Sequence, residues 1–85
     1  MRLPDRALAI LCRVTGDRAL NTDLDLPLYA SGVLDSLGTV ELMAAFEEEL
    51  GLTISPSDFD RDAWATPRAL VADIERRLGA AGAGA

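Results

Sequence analysis

The amino-acid sequence predicts an all-α fold: a small four-helix bundle of three long helices and one short one, with a long loop between helices 1 and 2. Three observations carry that expectation. Apolar residues recur at helical spacing in three separate stretches. Each stretch is bounded by residues that start or stop helices. The chain has 85 residues, is 49% hydrophobic and carries a net charge of −6, which suits one small globular domain rather than a disordered segment.

Helix 1 is expected from about Asp5 to Thr15, with Asp5 as N-cap and Gly16 just past its end. Ala7, Leu8, Leu11 and Val14 would face the core. Residues 16 to 33 read as a loop, since Asn21, Pro27 and Gly32 interrupt any helical period. A loop this long needs a reason in so small a domain. Leu24, Leu26, Leu28 and Tyr29 supply one if some of them drop into the bundle and close it. Helix 2 runs from near Ser36 to Leu50, and Gly51 terminates it. Thr39, Leu42, Met43, Phe46 and Leu50 share its core face. Leu37, Val40 and Ala44 form a second apolar strip on the opposite side, edged by Glu41, Glu47 and Glu48. That strip reads either as ordinary surface apolars or as a face that docks a partner. A short helical turn is expected around Ser57 to Asp62. The last helix opens with Thr66 as N-cap and Pro67 at its first position, lines Leu70, Val71, Ile74 and Leu78 on one face, and ends at Gly79. Residues 1–79 are thus expected to form a single domain, and 80–85 a disordered Ala/Gly tail.

Composition narrows the chemistry. There is no histidine, so a Ser-His or Cys-His catalytic pair cannot form within the chain. No acid/base pair or calcium-loop spacing stands out among the carboxylates, and neither catalytic residues nor a metal site is expected. Cys12 is the single cysteine and sits in an apolar helical pattern, which suits an inert, buried thiol. Between Asp35 and Asp62 stand eight carboxylates against Arg61 alone, a net −7. That segment would repel nucleic acid and attract basic protein surfaces. Amid those acids, Arg61 reads most simply as half of a local ion pair. The longest unbroken apolar run, Ala7 to Cys12, is too short to cross a bilayer. No secretory leader pattern is visible. The expectation is a cytoplasmic monomer that neither binds nucleic acid nor inserts directly into membranes.

The stretch Gly32-Val33-Leu34-Asp35-Ser36-Leu37-Gly38-Thr39-Val40-Glu41-Leu42 places a serine at a loop-to-helix junction. Taken alone, Ser36 or Asp35 could be no more than a helix cap, a role worth about 1 kcal/mol. In context the stretch resembles the modification motif of the acyl and peptidyl carrier protein superfamily, Asp-Ser-Leu opening the second helix. The resemblance extends from about Leu26 to Leu78. It implies the carrier-protein bundle, and it implies that the Ser36 hydroxyl receives 4′-phosphopantetheine from coenzyme A. A phosphodiester at that place would meet the positive end of a helix dipole. The resemblance gives Asp35 a part in recognition by the phosphopantetheinyl transferase, compatible with a capping role.

A second segment, Phe59-Asp60-Arg61-Asp62-Ala63-Trp64-Ala65-Thr66-Pro67, resembles D-alanyl carrier proteins. Gly38 agrees, since fatty-acid carriers usually place an acidic residue there. This likeness implies a non-catalytic carrier that takes D-alanine, or another small amino acid, from an adenylating ligase. It would hold that cargo as a thioester and pass it to a downstream acyl-accepting enzyme, in teichoic acid modification or natural-product assembly. Leu37, Val40, Glu41, Ala44 and Glu48 are the expected partner face. Trp64 reads either as packing or as a border of the arm or ligase contact. No cleft is legible in the sequence, and the arm and cargo are expected to stay outside the bundle. The rival reading is an unmodified, small acidic interaction module.

Overall fold

The computed structural model describes residues 3–82. Among them are three α-helices and no strand: α1 (Leu3–Thr15), α2 (Ser36–Leu50) and α3 (Pro67–Gly82), with 3-10 turns at Arg18–Asn21 and Arg61–Trp64. α1 packs against both α2 and α3, and so forms the spine of the domain. The all-α class holds, but among the described residues the expected short helix is no more than a 3-10 turn. The short helical turn expected around Ser57 to Asp62 appears as a 3-10 turn displaced toward Trp64. Local capping explains the displacement: the Asp60 carboxylate accepts from the Asp62 amide at 2.9 Å, which starts the turn there rather than at Ser57. Asp17 starts the earlier turn in the same way, accepting from the Ala19 amide at 2.9 Å.

Two helix ends differ in detail from expectation. α1 begins at Leu3, so Asp5 lies in its first turn and not at its N-cap, a place where a carboxylate still complements the helix dipole. The end of α1 is as expected, with Gly16 at φ 74° and its amide donating to the Cys12 carbonyl at 2.8 Å. α3 runs through Gly79 to Gly82, because Ala80 and Ala81 just beyond Gly79 favour helix enough to carry it. The rest of the expected tail, 83–85, lies outside the described residues. Gly51 closes α2 in the left-handed region at φ 67°, its amide returning to the Glu47 carbonyl at 3.1 Å. Thr66 caps α3 as its type suggests: its hydroxyl accepts from the Ala69 amide at 3.1 Å.

The long connection between α1 and α2 is a structural part of the core. Leu20, Leu28 and Leu34 are fully or almost fully buried, while Leu24, Leu26 and Tyr29 are half-buried. Full burial of one such leucine contributes about 1.5–3 kcal/mol. The connection is also laced to the start of α3. The Leu28 amide donates to the Ala65 carbonyl at 2.8 Å, and the Arg68 amide to the Leu24 carbonyl at 3.0 Å. These bonds satisfy backbone that would otherwise be buried without partners. Leu52 and Ile54 bury from the second connection, which the helical pattern did not single out.

Candidate functional site

Ser36 is the first residue of α2, and it is exposed. The cap immediately before it is Asp35, in extended backbone, whose carboxylate accepts from the Gly38 amide at 2.8 Å. Asp35 therefore takes the capping role, and the Ser36 hydroxyl makes no hydrogen bond among the described residues. Gly38 belongs to this arrangement. A Cβ added there would lie 3.1 Å from Leu34 Cδ1 and 3.3 Å from Asp35 Oδ1. A side chain at that position would press on the cap oxygen and on a buried leucine. The amides of Ser36 and Leu37 have no intrahelical acceptor, as in any first turn. A free hydroxyl at a dipole-positive helix start suits a covalently attached phosphodiester.

The two faces of α2 separate cleanly. Thr39, Leu42, Ala45 and Phe46 are buried, while Met43 and Leu50 are half-buried. Ala45 joins the core although the apolar period did not pick it out. Opposite them Leu37 is 67% exposed and Val40 61%, and these are the exposed large hydrophobic residues among those described. Ala44, Glu41 and Glu48 are exposed on the helix as well. The strip from Leu37 to Ala44 is thus free surface, edged by carboxylates.

Beside Ser36 the structure holds an open groove that sequence reasoning missed, with a volume of about 230 Å³. Val40 and Met43 line it from α2, Pro56 and Phe59 from the facing connection, and Tyr29 and Arg61 complete it. A short chain of contacts organises this corner. The Thr39 hydroxyl donates to the Asp35 carbonyl at 2.7 Å. Its proton is then committed, so the Tyr29 hydroxyl donates to Thr39 at 2.7 Å. The Arg61 guanidinium lies over the Tyr29 ring, 4.1 Å from its centre, in cation–π contact. Arg61 is therefore not the half of a local ion pair that its acidic neighbours suggest. Among the described residues its guanidinium forms no salt bridge or hydrogen bond, whereas Arg13, Arg68, Arg76 and Arg77 pair with Glu49, Asp25 and Asp73, and Arg6 donates to the Glu49 carbonyl at 2.9 Å.

Trp64 is fully buried, which favours its packing reading over a border of the arm or ligase contact. Its ring packs edge-on against Phe46, with centroids 5.8 Å apart, and against Phe59 at 4.9 Å. Its Nε1–H donates to Asp73 Oδ2 at 2.9 Å. Asp73 is buried too, and Arg77 donates to it at 2.8 Å while Arg76 also pairs with it. Burial opposes ionisation of Asp73, but hydrogen bonds from Arg77 and Trp64, with the charges of Arg77 and Arg76, outweigh it and hold the carboxyl below the usual range. Arg77 also donates to the Asp58 carbonyl at 2.9 Å, tying α3 to the connecting segment that walls the groove.

Cys12 is half-buried, and burial, assisted by the Asp17 charge, raises its pKa. It is a poor nucleophile in this setting. Among the described residues, no group of three His, Cys, Asp or Glu side chains could hold a metal ion. No described helix is long and apolar enough to cross a membrane.

Comparison with known proteins points the same way. The family described as "phosphopantetheine attachment site" matches residues 5–79. The D-alanyl carrier protein of Enterococcus faecalis is 37% identical over 75 residues, covering 88% of this chain and 96% of that protein. That of Bacillus licheniformis is 36% identical over 74 residues, 87% of this chain and 95% of its own length. That of Lacticaseibacillus casei is 41% identical over 69 residues, 81% and 85% respectively.

Proposed function

The chain belongs to the phosphopantetheine-attachment family, and to the D-alanyl carrier proteins within it, and on that premise we propose that Ser36 is the attachment residue of a carrier for a small amino acid. The observation that carries this assignment is the division of labour at the start of α2. Asp35 caps the helix, and the adjacent exposed Ser36 hydroxyl is left unengaged among the described residues. Ser31, Ser55 and Ser57 lack that setting, since none of them opens a long helix. In the modification, Ser36 Oγ attacks the coenzyme A phosphorus that bears pantetheine; the pyrophosphate bond breaks, adenosine 3′,5′-bisphosphate leaves, and the serine proton passes to a base of the transferase. The attached arm supplies an exposed thiol that holds an acyl group as a thioester, chemistry that Cys12 does not offer.

D-alanine is the proposed cargo, loaded by an adenylating ligase and handed to a downstream acyl-accepting enzyme. An ammonium-bearing cargo is costly to bury, which agrees with a groove that is open and small beside a tightly packed core. Leu37, Val40 and Ala44, with Glu41 and Glu48, are the proposed docking face for these enzymes, which would present basic and apolar surface to it. Asp35 adds a negative charge at the same end. Cytoplasmic enzymes of this kind would meet the protein as a monomer.

The test is intact-protein mass spectrometry after incubation with coenzyme A and a broad-specificity phosphopantetheinyl transferase. Wild type should gain a single phosphopantetheinyl group and Ser36→Ala none. The holo protein should then accept D-alanine from a cognate ligase in preference to fatty acids. A wild type that stays unmodified would instead support a bare interaction module.

A further inference from the structure

We propose that Arg61 and the groove beside Ser36 form a seat for the base of the phosphopantetheine arm, with Arg61 pairing with the phosphodiester and the apolar wall taking the adjoining gem-dimethyl group. This inference rests on Ser36 being the attachment residue. Charge complementarity carries it first. Attachment adds an anion to the segment from Asp35 to Asp62, which already carries eight carboxylates and has Arg61 as its only cation. Arg61 and Ser36 line the same groove. No acidic group among the described residues occupies the guanidinium, so its fork of donors remains available for a phosphate oxygen pair.

Pre-organisation carries it second. Arg61 is held over the Tyr29 ring at 4.1 Å, and Tyr29 is itself fixed to the first turn of α2 through Thr39 at 2.7 Å. The cation is therefore referenced to the very turn that presents Ser36, although it lies on a different segment. Less side-chain freedom is lost when such an arginine binds. The groove wall matches the part of the arm next to the phosphate. The first apolar group there is a quaternary carbon with two methyls, and Val40, Met43 and Phe59 offer apolar surface next to Ser36. Arg61 is thus a positioning residue that sets the direction in which the arm leaves the helix. The amide and thiol portions remain in solvent.

The experiment compares holo forms of wild type, Arg61→Gln and Arg61→Lys, each checked by intact mass. The readouts are the ³¹P resonance of the attached arm, nuclear Overhauser contacts of its geminal methyls, and the melting-temperature change between apo and holo. In wild type the ³¹P shift should move toward that of free phosphopantetheine between about 0.01 and about 1 M NaCl, as the Debye length falls from ~30 to ~3 Å. Arg61→Gln should start at the free position and show no salt response, and Arg61→Lys should fall between. The geminal methyls of wild type should contact Val40, Met43 or Phe59. Modification should raise the melting temperature of wild type relative to Arg61→Gln. A ³¹P shift and salt response identical in wild type and Arg61→Gln, on protein shown to be modified, overturns this inference alone. An unmodified Ser36 in wild type overturns the carrier assignment and the seat together.

Discussion

At Leu34-Asp35-Ser36-Leu37 and at Ala63-Trp64-Ala65-Thr66-Pro67 the chain does the same local thing: a connection turns into a long helix with a polar side chain capping its start. The outcomes for the neighbouring side chains are opposite. The first junction buries only Leu34 and leaves Asp35, Ser36 and Leu37 in solvent. The second buries Trp64 and Pro67 completely, and binds the Trp64 indole to a buried carboxylate. Capping chemistry states where a helix begins and is silent about which side chains face water. The exposed junction leaves the Ser36 hydroxyl open to solvent. The buried one packs Phe59, part of the groove wall, against Trp64.

The contrast can be broken most forcefully at Trp64. Trp64→Ala removes the largest buried side chain and leaves Asp73 without its indole donor, so denaturant unfolding should show a loss of about 3–5 kcal/mol. A loss under about 1 kcal/mol would place Trp64 outside the core.

Asp73→Asn comes next, and it sharpens the contrast by pH. The folded pKa of Asp73 lies below its ordinary value of 3.8. Its ionised form therefore favours the folded state above that value, and the contribution disappears as pH falls through the lower, folded pKa. Wild type should lose melting temperature below about pH 4, the usual range for aspartate. Asp73→Asn should be less stable at neutral pH, by about 1–3 kcal/mol, and flatter below pH 4. Glu49 with Arg13 and Asp25 with Arg68 share the same sign of shift, but these pairs are exposed and screened, and should add little.

At the exposed junction the effects are smaller and divide between neighbours. Asp35→Ala should cost about 1 kcal/mol through the lost cap. Ser36→Ala should stay within about 0.5 kcal/mol of wild type while abolishing phosphopantetheinylation. Equal stability losses at the two positions would show that Ser36 shares the capping role.

The smallest stability effects are expected on the outer strip of α2. Glu41→Lys and Glu48→Lys should change unfolding free energy by less than about 0.5 kcal/mol. Aminoacylation by the ligase should slow and lose part of its salt dependence. Unchanged loading kinetics would remove this face from the docking assignment.

Much of this was legible in the sequence, and the reasons differ by element. The cores of α1, α2 and α3 followed from apolar spacing, and Gly16, Gly51 and Thr66 marked helix ends because their signals are local. Ser36 could be singled out because a motif and a helix start coincide within a few residues. Leu20, Leu34, Leu52 and Ile54 were not foreseen as core, because single leucines and isoleucines in connections carry no period. Asp5 lies in the first turn of α1 and not at its cap, since a carboxylate suits the first turn almost as well as the position before it.

The sequence by itself determined the all-α class, the approximate span of each long helix, the acidic character of the middle of the chain and the position of Ser36. These depend on residues within one or two turns of each other, where spacing translates directly into geometry. Only the tertiary structure decided that Trp64 lies inside, that Asp73 holds it there, and that Arg61 rests on Tyr29 beside Ser36 rather than on a neighbouring aspartate. Each of those contacts joins segments distant along the chain. Which distant side chains meet is set by how the three helices and their two connections close around one core, and no local pattern encodes it.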